Sequence, residues 1–123
     1  MNRDLVPDFH AVAAEHIAIH ERLINWQRYV SSGGRTGPIA PMFRGYRPYL
    51  WPRESSGVVV DTLDGHEMEK AVGRLPPKHR DAIRWCYVFS YIRAPKVCRL
   101  LGVSSEGLAG LIHDGRVMLK NRA

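Results

Sequence analysis

Cysteine is scarce in this 123-residue chain, and the two copies it has show no metal-binding spacing. Cys86 and Cys98, taken with His79 and His113, contain neither a CxxC nor an HxxxH pair. They therefore read as reduced, buried cysteines with packing roles rather than as a zinc set. Long apolar runs are missing as well: nothing approaches the roughly 18 residues that a membrane span needs. Asp4, Pro7 and Asp8 interrupt any apolar stretch near the start, so no signal peptide is expected and the expected setting is the cytoplasm. No Ser/His/Asp order, paired carboxylates or phosphate-cradling glycine motif appears, and Asp61 and Asp64 read as turn and cap residues. That excludes the common enzyme chemistries, so no catalytic residue, cofactor or metal is assigned. Acidic residues are scarce in one region only. Residues 1–74 carry nine Lys/Arg against nine Asp/Glu, whereas residues 75–123 carry nine (Lys78, Arg80, Arg84, Arg93, Lys96, Arg99, Arg116, Lys120, Arg122) against three (Asp81, Glu106, Asp114). The whole net charge of +6 thus belongs to the last forty-nine residues.

An apolar content of 45% marks a folded protein, and the length suits one domain. Three stretches organise it: a helix through residue 31, an irregular segment over 32–63 and a helical region over 64–123. In residues 8–30, Phe9, Val12, Ala13, Ile17, Ile19, Leu23, Ile24, Trp26 and Val30 recur at steps of three and four, which predicts an amphipathic helix about 35 Å long. So long a helix is expected to pack along the second half of the chain or against a partner. His10, His16 and His20 lie on it, with only the last two sharing a face. Lacking carboxylate support, they read as solvated helix histidines. The segment after it holds Gly33, Gly34, Gly37, Gly45 and Gly57 with Pro38, Pro41, Pro48 and Pro52, which forbids a continuous helix. Within it Arg44, Tyr46, Arg47, Tyr49, Trp51 and Arg53 interleave cations with aromatics. That mixture either stacks on unpaired bases and binds phosphates, or folds the segment back onto the helices. Val58, Val59 and Val60 suggest a short extended piece.

Asp64 is expected to cap a helix over residues 64–75, which Pro76 and Pro77 end, with Pro77 opening the next helix over 78–90. There Ala82, Ile83, Trp85, Cys86, Val88 and Phe89 should point inward. Arg93, Ala94 and Pro95 start a further helix, and the run from Lys96 to Leu111 has the pattern of a helix-turn-helix. Cys98 is the small residue where two backbones approach, Gly102 makes the left-handed turn, Leu101, Val103, Leu108 and Leu111 close a miniature core, and Ser104 caps the second helix. A second helix presented in this way usually enters a DNA groove. A merely solvated face would carry the same charge, but its coincidence with the turn pattern favours a nucleic-acid partner. The predicted class is all-α.

Two runs carry a resemblance to known families. Leu75-Pro76-Pro77-Lys78-His79-Arg80-Asp81-Ala82-Ile83-Arg84, followed after an interval by Leu100-Leu101-Gly102-Val103-Ser104, resembles region four of bacterial sigma factors. Arg22-Leu23-Ile24-Asn25-Trp26-Gln27-Arg28-Tyr29-Val30, then a Gly/Pro-rich aromatic segment, then the sigma-like pair, is similar to phage late-gene antitermination proteins of the Q type. The resemblance implies binding to double-stranded DNA near a late promoter. It further implies joining of a paused bacterial RNA polymerase, with sigma factor and nascent RNA close by, and suppression of terminators. It implies that residues 104–122 form the recognition helix, with Ser104 at its start and Ser105, Glu106, Ala109, His113 and Arg116 facing the groove. Lys96, Arg99, Arg80 and Arg84 would contact phosphates, and Arg44, Tyr46, Arg47, Tyr49, Trp51 and Arg53 would line an RNA path or touch polymerase. The first turns of that helix, Ser105, Glu106, Gly107, Ala109 and Gly110, are bare of the Arg, Lys, Gln or Asn that pair bidentately with bases. Glu106 can accept from cytosine, and Gly107 and Gly110 either weaken the helix or admit another one. An interaction module that binds polymerase or sigma, and a simple helix-turn-helix regulator, are the competing readings.

Overall fold

A computed structural model describes residues 9–31, 41–43 and 60–122, and these form five helices with no strand among them. The first, α1 (Ile17–Ser31), buries Ile19, Leu23, Trp26 and Val30, a stripe at steps of four, three and four. It is shorter than the expected helix from residue 8. Residues 9–13 make a turn and an extended stretch, and Ala14–His16 form one tight 3-10 turn. The physical reason is tertiary. The Ala11 carbonyl accepts from Arg116 (2.9 Å), the Phe9 carbonyl lies 3.6 Å from the Cys86 Sγ, and the Phe9 ring packs edge-on against Trp85 at 5.4 Å. Carbonyls engaged in this way give up a helical ladder, and packing outweighs the weak preference of the local sequence. At 1.5 Å per residue α1 is about 22 Å long, not 35.

The second helix, α2 (Thr62–Gly73), starts two residues inside the segment expected to be irregular. Its cap is Asp61 rather than Asp64: Asp61 Oδ1 accepts from the Asp64 N–H at 3.0 Å. Asp64 instead turns to α1 and takes two donors of Arg22, the shorter at 2.7 Å. Asn25 clamps the same cap from both sides, donating to the Asp61 carbonyl and accepting from its N–H, each at 2.8 Å. Such bonds hold α1 and α2 at a separation only glycine permits. A Cβ on Gly65 would lie 2.6 Å from both Cβ and Cγ of Tyr29.

Proline opens α3 (Pro77–Tyr87), as the sequence predicts, and the helix ends three residues before the expected end at 90. Its connection to the next helix is pinned by Trp85 Nε1, which donates to the Ile92 carbonyl at 2.8 Å. Residues 81–89 are all buried, so α3 is the central helix. The last helix, α5 (Ser105–Arg122), lies against it at Gly115, where a Cβ would meet Ile83 Cγ1 at 2.7 Å. Between them stands α4 (Ala94–Leu101), joined to α5 by Gly102, Val103 and Ser104. Gly102 has φ of 70° and the Val103 N–H donates to the Cys98 carbonyl at 3.0 Å, the signature of a left-handed helix stop. Ser104 Oγ then accepts from the Gly107 N–H at 3.0 Å, capping α5 as predicted.

One core joins these helices, with Leu23, Trp26, Met68, Val72, Ile83, Val97, Leu108, Ile112 and Leu119 almost wholly enclosed. Phe43 joins it from the glycine- and proline-rich segment and stacks on Phe89 at 4.5 Å. That segment's six candidate contact residues, Arg44, Tyr46, Arg47, Tyr49, Trp51 and Arg53, lie outside the described residues, as do Val58 and Val59. Cys86 and Cys98 are both buried thiols, and no three His, Cys, Asp or Glu among the described residues gather into a metal site. No described helix is long and apolar enough to cross a membrane.

Candidate nucleic-acid interface

Position along α5 decides which side chains a partner can meet. Leu108, Ile112, Gly115 and Leu119 form its inner stripe, at steps of four, three and four, with Arg116 on the same side, so Ser105, Glu106, Ala109, Gly110, His113 and Asp114 turn away from the core. Ser105, Glu106 and His113 are exposed, Ala109 is half-buried, and Ser104 is exposed at the cap. Around Gly110 the space is open, with no described atom within 4 Å of an added Cβ. Gly107 serves the turn instead, since a Cβ there would press on Val103 Cβ at 3.1 Å. Neither glycine of the outer face admits another described helix; the close approaches fall at Gly65 and Gly115, where the sequence alone gave no cue.

Arg116 departs from its expected place. It is 3% exposed and belongs to the interior rather than to a groove-facing surface. Its Nε donates to Tyr87 Oη at 3.0 Å, its guanidinium sits 5.6 Å from the Tyr87 ring centre, and a further N–H takes the Ala11 carbonyl. Tyr87 Oη also meets His20 Nδ1 at 2.7 Å. Burial pushes the Tyr87 hydroxyl up to about 12, the Arg116 charge opposing, so this phenol stays neutral and keeps its proton to share. The same burial, with the Arg116 charge beside it, lowers His20 below its ordinary value. His16 stands nearby, enclosed between the N-terminal arm and α5, its ring 4.9 Å from that of His113 and its Nδ1 without a partner. Burial lowers its pKa first, and the neighbouring His113, Lys120 and Arg116 lower it further, against Glu15. Both are packing histidines, not the solvated helix histidines expected.

Arg84 is the second correction. It faces Glu69 across α2 and α3 at 3.7 Å, and Glu69 accepts from Trp26 Nε1 at 3.0 Å, so three helices share one buried polar link. Burial draws the Arg84 guanidinium below its ordinary value while the Glu69 carboxylate holds it up. An arginine so placed is not available to a phosphate. Arg80 is partly exposed, with its Nε donating to Asp81 at 3.1 Å. Lys96 and Arg99 are exposed residues of α4.

The expected residues therefore divide. Lys96, Arg99, Ser104, Ser105, Glu106, Ala109 and His113 lie at the surface around one helix junction, Arg80 is half-engaged, and Arg84 and Arg116 are structural. Arg93 joins the surface group although sequence reasoning gave it no role. Its signal was the three-residue step Arg93, Lys96, Arg99, which sets three cations on one side of a helix. The chain matches no known protein family, no curated protein and no solved structure.

Proposed function

We propose that this protein is a DNA-binding transcription regulator in which α4 and α5 act as a helix-turn-helix, and that it works as a phage antitermination factor by joining bacterial RNA polymerase. The observation that carries the DNA-binding half is the α4–α5 junction. Gly102 stops α4 in the left-handed conformation, Ser104 caps α5, and Ser105, Glu106, Ala109 and His113 stand outward beside Lys96 and Arg99. A phosphate at the exposed start of α5 would meet unpaired N–H groups and the positive end of the helix dipole. The antitermination half rests on the likeness of residues 75–84 and 100–104 to sigma region four, and of residues 22–30 with the following segment to Q-type proteins. Arg22, Asn25 and Trp26 of that second likeness are engaged with α2, so their part in the reading is to build the scaffold.

Two measurements test it. Binding to promoter-region duplex should weaken steeply with salt, and replacing Lys96 or Arg99 by alanine should lower the log–log salt slope by about 0.9 each. In vitro transcription from the protein's own late promoter should show more terminator readthrough when the protein is added. Unchanged readthrough with intact duplex binding would remove antitermination and leave a simpler regulator.

A second reading, a polymerase- or sigma-binding module with little DNA affinity, draws on the outward residues Ser105, Glu106, Ala109, Gly110 and His113 of α5, which offer a base no bidentate donor. Polymerase capture that persists after Arg80, Lys96 and Arg99 are changed to alanine would favour it. Arg84 is left intact in that variant because its removal would strand the buried Glu69 carboxylate.

A further inference from the structure

Away from the outward face of α5, the connection between α3 and α4 opens into a cleft of about 460 Å³, walled by Tyr91, Ile92, Arg93, Pro95, Lys96 and Arg99. Its size falls in the ~300–1,000 Å³ range of small-ligand sites. Three of its six walls are cations and none is a carboxylate. Arg93 precedes the first turn of α4, where the helix dipole adds positive potential. The remaining walls are flat or apolar. Tyr91 is 48% exposed, and Ile92 is buried, with its carbonyl fixed by Trp85 and its N–H bonded to the Phe89 carbonyl at 2.9 Å. The lining thus combines apolar Ile92 and Pro95 with one half-exposed aromatic ring and three cations spaced three residues apart.

We propose that this cleft holds an unpaired nucleotide of a single-stranded nucleic acid, its phosphates along Arg93, Lys96 and Arg99 and its base against the Tyr91 ring. A phosphate alone would meet only the three cations, whereas a nucleotide also sets a planar face against the half-exposed Tyr91 and the apolar Pro95 and Ile92. A paired duplex hides the base faces in its stack, whereas an unpaired base offers a planar face to an aromatic ring. Lys96 and Arg99 are shared with the proposed duplex contacts, whereas Tyr91, Ile92, Arg93 and Pro95 are not, so Tyr91 separates the two modes of binding.

Fluorescence anisotropy of the full chain with labelled oligo(dT), oligo(rU) and a blunt duplex of equal length, across a salt series, tests this. Both single strands, or one of them, should bind. Tyr91→Ala should weaken that binding about tenfold, while Tyr91→Phe, which keeps the ring, should stay close to the parent. The double variant Arg93→Ala/Arg99→Ala should lower the single-strand salt slope by about 1.4, and Ser105→Ala/Glu106→Ala should leave single-strand affinity unchanged. Circular dichroism confirms that each variant is folded. Single-strand binding without duplex binding would uphold the cleft while removing the proposed role of α5. An unchanged affinity in folded Tyr91→Ala, or no binding of either single strand, would overturn the proposal and leave the cleft as a charged patch.

Discussion

Glycine to alanine at two positions of equal helical standing should move stability in opposite directions. Gly65 lies inside α2 and Gly110 inside α5, so each loses about 1 kcal/mol of helix preference relative to alanine. At Gly110 the added methyl meets open space, and that gain should appear almost undiminished, as a stabilisation of about 0.5–1 kcal/mol. At Gly65 the methyl would lie 2.6 Å from Tyr29 Cγ and 2.6 Å from Tyr29 Cβ, the latter an atom fixed by the backbone that no rotamer change can clear. Overpacking of this kind costs about 1–3 kcal/mol, and the upper end applies because α1 itself must move against the Arg22–Asp64 and Asn25–Asp61 bonds. After the helix gain is subtracted, Gly65→Ala should destabilise by about 2 kcal/mol. For a chain of this size each kcal/mol corresponds to about 4 °C in Tm. Urea and thermal unfolding followed by circular dichroism would read the two variants against the parent. If Gly65→Ala were as stable as Gly110→Ala, the close approach of α1 to α2 would be wrong.

Three further outcomes follow from the buried groups and the α4–α5 turn. Arg84→Ala should cost about 3 kcal/mol by removing the counter-charge of the buried Glu69 carboxylate, whereas Arg99→Ala, on the surface, should leave the urea midpoint within error and change only ligand binding. For His16 and His20 the folded pKa lies below the ordinary 6.5, so the unfolded chain takes up protons first as pH falls. Stability should therefore be complete above about pH 6.5 and decline as pH drops through the lower folded values. His16→Leu should flatten that decline, and a urea midpoint that holds steady from about pH 7.5 to 5 would contradict the buried placement. At the turn, Ser104→Ala should cost about 1 kcal/mol by uncapping α5, and Gly102→Ala about 1–2 kcal/mol because its φ is positive. Equal stability of Gly102→Ala and the parent would refute the left-handed turn.

Helices α3, α4 and α5 were legible because their signals are local. Pro77 at a first turn, Pro95 after Arg93, Gly102 and Ser104 act through neighbouring backbone atoms, and each stands where its chemistry requires. The start of α1 was not legible in this way. Its fate depends on what residues 86 and 116 offer to the carbonyls of Phe9 and Ala11, partners more than seventy positions away. The misplaced cations follow from a rule that assigns charge to the surface. For Arg116 the periodicity held a contrary cue: it falls four residues after Ile112 and three before Leu119, within the stripe that packs inward. Arg84 offered a similar hint, flanked on both sides by residues of a helix buried almost all round. What periodicity could not supply was the identity of the partners that make burial tolerable, Glu69 for one and Tyr87 for the other.

The bond from Arg116 to the Ala11 carbonyl spans 105 positions. During synthesis α1 and α2 can associate while α5 is still inside the ribosome, and the arm before α1 can meet Trp85 and Cys86 of α3, but its bond to Arg116 must wait until α5 emerges. Closing so long a loop is slow compared with pairing neighbouring helices. The contact between residues 9–16 and α5 therefore closes late, and a truncation that removes residues 9–16 should be felt by α3 and α5 together. Fusions and tags placed before Phe9 bear on the same event, which makes the junction at that end a design variable for any functional assay of the last helix.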